Sequence, residues 1–145
     1  RATQHFPGLS RFEIHREGEA MPDGIVSIPT ISGACFAARR ADFESLGGFD
    51  EGYFLHVEDI DLCWRARREG GAVSFDPHAK VVHLGHTSQT NPLRVEMHKG
   101  LGLVRFFLKR AGTFPAYLLA LAMAPLILVT ALARPLLWRL RGSRA

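Results

Sequence analysis

The densest grouping of chemically capable side chains in this chain runs from Gly48 to Arg65. Asp50, Glu51, Glu58, Asp59 and Asp61 supply carboxylates, His56 an imidazole, and Phe49, Tyr53, Phe54 and Trp64 aromatic rings. Ile60, Cys63, Trp64 and the stem of Arg67 recur at helical spacing, which predicts a helix anchored by one face. Glu58 and Asp59 then stand at the mouth of that helix, where a carboxylate can serve as a positioned base toward a hydroxyl proton. The same acids also complement the positive end of the helix dipole. Asp61 precedes Arg65 by four residues, the spacing of an intrahelical ion pair. Ion pairing is the better reading for Asp61.

The helix needs a frame, and the flanking sequence outlines one. Residues 1–24 are polar with scattered Gly and Pro and read as loop or irregular crossover. Residues 25–31 are largely apolar with Pro29 inside, the mark of an edge strand or the start of one. Ser32-Gly33-Ala34 admits close backbone approach, and residues 35–38 continue as buried structure. A short helix is expected over 40–46, stopped by Gly47-Gly48. An aromatic loop follows at 49–57, then the acid-headed helix over 58–69, capped by Gly70-Gly71. Residues 72–75 and 80–83 read as two short strands around Asp76-Pro77, the second ending at His83, before a polar loop over 85–91 that carries His86. Cys35 and Cys63 lack a metal-type spacing and lie in apolar surroundings, so both are expected as buried free thiols in a reducing, cytoplasmic setting. His78 and His98 read as solvent-facing.

Charge divides the chain. Residues 1–93 carry nine Arg/Lys against thirteen Asp/Glu, and residues 94–145 carry nine against Glu96 alone. The hydrophobic share of 47% belongs to a globular chain and not a disordered one. Residues 93–111 form a second strong helix pattern, apolar at Val95, Leu101, Val104, Phe107 and Leu108 and basic at Arg94, Lys99, Arg105, Lys109 and Arg110. That pattern suits a helix lying on an anionic membrane surface, or one packed on its own domain. From Thr113 to Ala133 no residue is charged, a run that meets the roughly 20 residues needed to cross a bilayer. Pro125 interrupts it, which predicts a kink or two half-length apolar helices dipping into one leaflet. Both flanks are basic, so charge does not fix an orientation. The tail is too apolar for a nucleic-acid partner.

Four pieces of the chain, taken together, resemble the acceptor side of the inverting family 2 glycosyltransferases of GT-A fold. They are Ser32-Gly33-Ala34-Cys35-Phe36 with Arg39-Arg40; Gly47-Gly48-Phe49-Asp50-Glu51 with Tyr53-Phe54; Glu58-Asp59-Ile60-Asp61-Leu62-Cys63 with Arg65; and Val81-Val82-His83 before a Gly/Ser/Thr loop. Each is weak alone, and their order and spacing make the match specific. The nearest likeness is to rhamnosyltransferase-like enzymes of cell-envelope polysaccharide synthesis. The resemblance implies an α/β fold, here the acceptor-side half of a GT-A domain over residues 1–92 with a mixed sheet. A basic amphipathic helix at 93–112 and an apolar membrane-associated or transmembrane segment at 113–145 would follow.

The resemblance further implies that Asp59, with Glu58 beside it, removes the proton of an acceptor hydroxyl during inverting sugar transfer. Gly33, Tyr53, Phe54 and His56 would meet the substrate, although Gly33 equally fits a tight turn and Phe54 the core. Mg2+ or Mn2+ would neutralise the leaving diphosphate, with His83 or His86 as an accessory ligand. A nucleotide-sugar donor, a glycan or lipid-linked acceptor and a membrane surface are the implied partners. The implied place is the cytoplasmic face of the inner or plasma membrane, with the tail peripheral, re-entrant or single-pass. The family's upstream Asp-x-Asp motif is missing, since Glu17-Gly18-Glu19 follows no apolar strand. The chain is therefore expected to be a fragment that lacks donor binding and is inactive alone. Two other classes compete. A non-catalytic membrane adaptor explains residues 94–145 but not the acidic-aromatic unit. A metal-dependent hydrolase would use His78, His83 and His86, but no His-Glu-x-x-His pattern supports it.

Overall fold

The structure, a computed structural model, describes residues 20–83 and 90–142, with side chains up to residue 135. The elements in chain order are β1 (Val26–Ser27), α1 (Arg40–Ser45), α2 (Glu58–Arg68), β2 (Ser74–Phe75), α3 (Pro92–Arg110) and α4 (Phe114–Gly142). The architecture is helix-rich with one small sheet. β1 and β2 pair antiparallel, Val26 opposite Phe75 and Ser27 opposite Ser74, and Ile28 N–H extends the ladder to Val73 O at 2.9 Å. The mixed sheet expected over 25–38 and 72–83 is thus reduced to two two-residue strands. Residues 80–83 form no strand and are exposed. Cys35 is exposed, against the expectation, while Cys63 is buried.

The helices form where the sequence places them, because their stops are local. Gly47 and Gly48 take φ of +78° and +67°, and Gly70 takes +82°, left-handed conformations that glycine adopts without a Cβ penalty. Leu46 and Gly48 N–H close the end of α1 on Asp42 O and Phe43 O. Phe36, Phe43 and Phe49 pack edge-on beneath this turn, with Phe49 5.7 and 5.5 Å from the other two rings. α2 carries its acids in the first turn and Arg65, Arg67 and Arg68 in the last, the arrangement its dipole favours. Its buried residues are Asp61, Leu62 and Cys63, and Arg67 is exposed, so the anchored face centres earlier than the spacing suggested. α3 starts on Asn91, whose side chain accepts Leu93 N–H at 2.9 Å, with Pro92 in the first turn.

α3 and α4 are an antiparallel hairpin joined by Ala111, Gly112 and Thr113. Gly100 lets the helices approach: a Cβ there would stand 3.0 Å from Ala131 Cβ and 3.3 Å from Leu128 Cδ2. At the far end the buried Glu96 carboxylate meets Lys99 at 2.9 Å and Arg134 at 3.4 Å. α4 is one continuous helix through Pro125 and Pro135, not the pair of half-helices that Pro125 suggested. The Leu- and Ala-rich sequence around them favours helix strongly enough to carry one missing hydrogen bond at each proline. Its 22-residue stretch Phe114–Pro135 has a mean hydropathy of 2.3 and is almost wholly unburied.

The small core joins α2 to α3. Tyr53, Val57 and Phe106 are its buried members, with Ile60, Trp64 and Leu103 packed around them. α3 is therefore an amphipathic helix packed on its own domain along one face and on α4 along another.

Candidate active site

α2 begins abruptly. His56 and Val57 have φ of +63° and +74°, a left-handed turn that a β-branched valine adopts only when its surroundings hold it. The hold comes from α3: Gly102 presents bare backbone, and a Cβ there would stand 3.0 Å from Val57 Cγ2 and 3.4 Å from His56 O. No side chain caps α2, so this packed turn fixes the direction in which Glu58 and Asp59 leave the loop.

Asp59 is half-buried at the mouth. Its Oδ2 accepts Gly33 N–H at 2.7 Å and its Oδ1 accepts Ile60 N–H at 2.8 Å. Each carboxylate oxygen keeps a further lone pair. Among the described residues no cation pairs with this carboxylate, and its orientation is set by backbone donors. Beside it, Glu58 Oε2 is buried with no hydrogen-bond partner among the described residues, a state that in a folded protein calls for an explanation. Gly33 is exposed and lies against Asp59 without crowding, a Cβ there being 3.5 Å from Asp59 Cβ. Its N–H is committed to Asp59, so it positions the acid and does not offer a free donor.

Asp61, one helical step on, is fully buried. It accepts Arg65 Nε at 2.8 Å, the expected i,i+4 pair, together with Tyr53 OH at 3.2 Å and Lys109 Nζ at 2.9 Å. The Arg65 guanidinium continues to Leu46 O and, at 2.7 Å, to Gly48 O, tying the two-glycine turn to α2. Asp50 accepts Lys109 Nζ at 2.7 Å, Arg105 Nη2 at 2.9 Å and Gly52 N–H at 2.9 Å. Burial pushes the Asp50 carboxyl up, but the hydrogen bonds from Lys109, Arg105 and Gly52 outweigh it and hold the group well below the usual carboxylate range. Burial, followed by the Asp61 carboxylate, pushes the Tyr53 phenol well above its ordinary value, so it stays a donor.

These contacts correct one expectation and choose between the alternatives of another. Tyr53 is a core residue bonded to Asp61 and does not line a cleft. Arg105, Lys109 and Lys99 of the basic helix are paired inside the chain, to Asp50, Asp61 and Glu96, as the alternative of a helix packed on its own domain requires. Phe54 and His56 are exposed beside the mouth. His98, read as solvent-facing, is half-buried and stacks on Phe54 at 4.4 Å. His83 is exposed, and His86 lies outside the described residues, as does Glu17-Gly18-Glu19. No three His, Cys, Asp or Glu side chains among the described residues lie close enough to share a metal ion. The described residues therefore do not by themselves fit Mg2+ or Mn2+. Gly102 and the Asp50–Lys109–Asp61 bridge were missed from the sequence, although complementary charge in the two halves pointed to the bridge.

Known proteins resemble part of this chain. Over 63 residues the chain is 40% identical to the N-acetylglucosaminyl-diphospho-decaprenol L-rhamnosyltransferase of Mycobacterium tuberculosis, covering 43% of this chain and 20% of that enzyme. The chain is rhamnosyltransferase-like. Over 55 residues it is 38% identical to the rhamnosyltransferase WbbL of Escherichia coli, covering 38% of this chain and 21% of that one. The pre-mycofactocin glycosyltransferase of M. tuberculosis is 36% identical over 69 residues, covering 47% of the rhamnosyltransferase-like chain and 14% of the enzyme. The chain thus matches about a fifth or less of the length of these curated relatives. No family model and no solved structure matches it.

Proposed function

We propose that this chain is the acceptor-side part of an inverting glycosyltransferase of GT-A fold. It would act in cell-envelope glycan synthesis on a nucleotide-sugar donor and a lipid-linked glycan acceptor. The observation that carries the proposal is Asp59, braced by two backbone N–H groups and free of any cation among the described residues. In this reading Asp59 takes the proton of the acceptor hydroxyl as that oxygen bonds to the anomeric carbon. The bond from the anomeric carbon to the diphosphate oxygen breaks on the opposite face, and its electron pair leaves with the nucleoside diphosphate. The donor is held by residues outside this chain. Rhamnosyl and other glycosyl transfer in the relatives' names supports the reaction class.

The hairpin supports a membrane location and favours one geometry. α4 has the length and apolarity to span, but α3 lies beside it out to Arg134. A spanning α4 would draw Glu96, Lys99 and other α3 charges to hydrocarbon depth, at about 2.5–3.5 kcal/mol for each basic residue. The hairpin in this reading therefore lies in the plane of the cytoplasmic leaflet with the outer face of α4 in lipid.

The test is Asp59→Asn in the full-length enzyme. A base contributes roughly 10²–10⁴-fold, so sugar transfer falls by that order while thermal melting is unchanged. Transfer at the wild-type rate removes Asp59 as the base.

A further inference from the structure

The mouth of α2 does not hold itself. His56 and Val57 both take left-handed backbone, and no side chain caps the helix. Asp61 N–H bonds to Val57 O at 2.9 Å, so the helical ladder opens on this turn. α3 supplies the hold: Gly102 lies against Val57 and His56, and Leu103 and Phe106 close the core around Val57. Gly100 precedes Gly102 by two residues, about 200° round the helix, and rests on Ala131 and Leu128 of α4. One turn of α3 is thus clamped between the mouth and α4.

Away from α3, α4 is bare. Leu118, Leu119, Leu121, Met123, Leu126 and Val129 are exposed. They spread over about 200° of its circumference, roughly twice the stripe that a helix turns toward a protein core. A bilayer covers such an arc, where a single partner helix does not. It also changes what happens when α3 leaves the mouth. Arg105 and Lys109 are bonded there to Asp50 and Asp61. Released in water, the two cations are resolvated; released beside hydrocarbon, they are not, so departure is harder there. A bilayer therefore binds the hairpin with α3 on the mouth more tightly than the hairpin with α3 displaced. That difference is what any coupling between the two requires.

We propose that the α3–α4 hairpin ties the geometry of the α2 mouth to bilayer contact. With α4 seated in hydrocarbon, α3 is held on the His56–Val57 turn and Asp59 keeps its place. Off the bilayer, α3 loosens and the turn relaxes. Asp59 follows the turn because one of its donors, Ile60 N–H, belongs to the first turn of α2, and the other, Gly33 N–H, to an exposed loop. Of the five basic residues on α3, Lys99, Arg105 and Lys109 are already bonded to carboxylates. The coupling therefore draws on hydrocarbon and not on an anionic headgroup. The proposal rests on the in-plane hairpin reading above and adds to it a regulation of the site.

The experiment reads amide hydrogen exchange in the full-length protein without turnover, so it can fail while Asp59 remains the base, and the reverse. Vesicle flotation is measured alongside. On phosphatidylcholine vesicles the Ile60 and Asp61 amides are expected to exchange at least tenfold more slowly than without vesicles. Phosphatidylglycerol vesicles should give the same slowing. Leu119→Asp/Val129→Asp, on the bare arc of α4, abolishes flotation and slowing together and leaves exchange without vesicles unchanged. Gly100→Val, at the α3–α4 contact, still floats and loses the slowing; if it keeps both, the route through α3 is wrong. Wild type that floats with unchanged exchange at Ile60 and Asp61 overturns the coupling and leaves the in-plane hairpin standing. Wild type that does not float overturns both. Slowing by phosphatidylglycerol alone assigns the effect to headgroup charge and overturns the proposal as well.

Discussion

The mouth of α2 and the flank just below it hold the same kind of side chain in opposite wiring. Asp59 is held by two backbone N–H groups and keeps its remaining lone pairs toward the opening. Asp61, two residues later, is fully buried and surrounded by Arg65, Lys109 and Tyr53. Backbone donors orient a carboxylate without adding a formal charge beside it; cations tie it to the elements that carry them. The difference separates an acid without a charged partner among the described residues from one that fastens three elements together, since Asp61 links the two-glycine turn, α2 and α3.

The sharpest way to break that comparison is to remove each acid and read stability. Asp61→Ala leaves Arg65 and Lys109 without their partner, and breaking a buried pair in this way costs about 3–5 kcal/mol. Thermal unfolding of the full-length enzyme should show a large drop for Asp61→Ala and little for Asp59→Ala. Equal losses would mean that Asp59 is also structural.

A middle-sized effect separates holding the mouth from forming it. Gly102→Ala pushes a methyl against Val57 Cγ2 and His56 O, an overpacking cost of about 1–3 kcal/mol, and lowers turnover by shifting Asp59. Val57→Gly removes both the obstacle and the left-handed valine, so the double variant should recover stability and turnover relative to Gly102→Ala alone. A purely additive double-variant cycle counts against the contact.

The smallest effect is in acid. The Asp50 carboxyl is depressed in the folded state, so its contribution is complete above the unfolded value near 4 and is lost as pH falls from there through the folded value. Asp50→Asn should lower the urea midpoint at neutral pH and flatten the acid side of the stability profile below about pH 4. An unchanged slope means that the Lys109 and Arg105 contacts do not act on Asp50 in solution.

Much of the helical framework was legible because its signals are local. Gly47-Gly48 and Gly70-Gly71 stop helices by their own conformational freedom, Asn91-Pro92 starts one, and Asp61–Arg65 pair within one turn. The strands were not legible, because a strand of two residues is defined by its partner and not by its own pattern. Tyr53 was misplaced for a related reason: an aromatic in an acidic loop reads as exposed until Phe106, more than fifty residues away, covers it. For α4 the half-helix alternative failed because the neighbours of Pro125 favour helix strongly, so the helix runs through it. For the candidate site, the acids were found by position, while their bracing by Gly33 and Gly102 depends on contacts across 26 and 45 residues.

The bridge from Lys109 to Asp50 and Asp61 also determines where the chain can be shortened. Residues 92–110 look like the start of a detachable membrane anchor, yet their last turn completes the charge balance of the acidic unit. Trimming the tail for handling in water must therefore leave α3 whole and stop in the Ala111–Thr113 link. A cut before Pro92 would take away Phe106 and both cations, and with them the lid of the small core on which the α2 mouth rests.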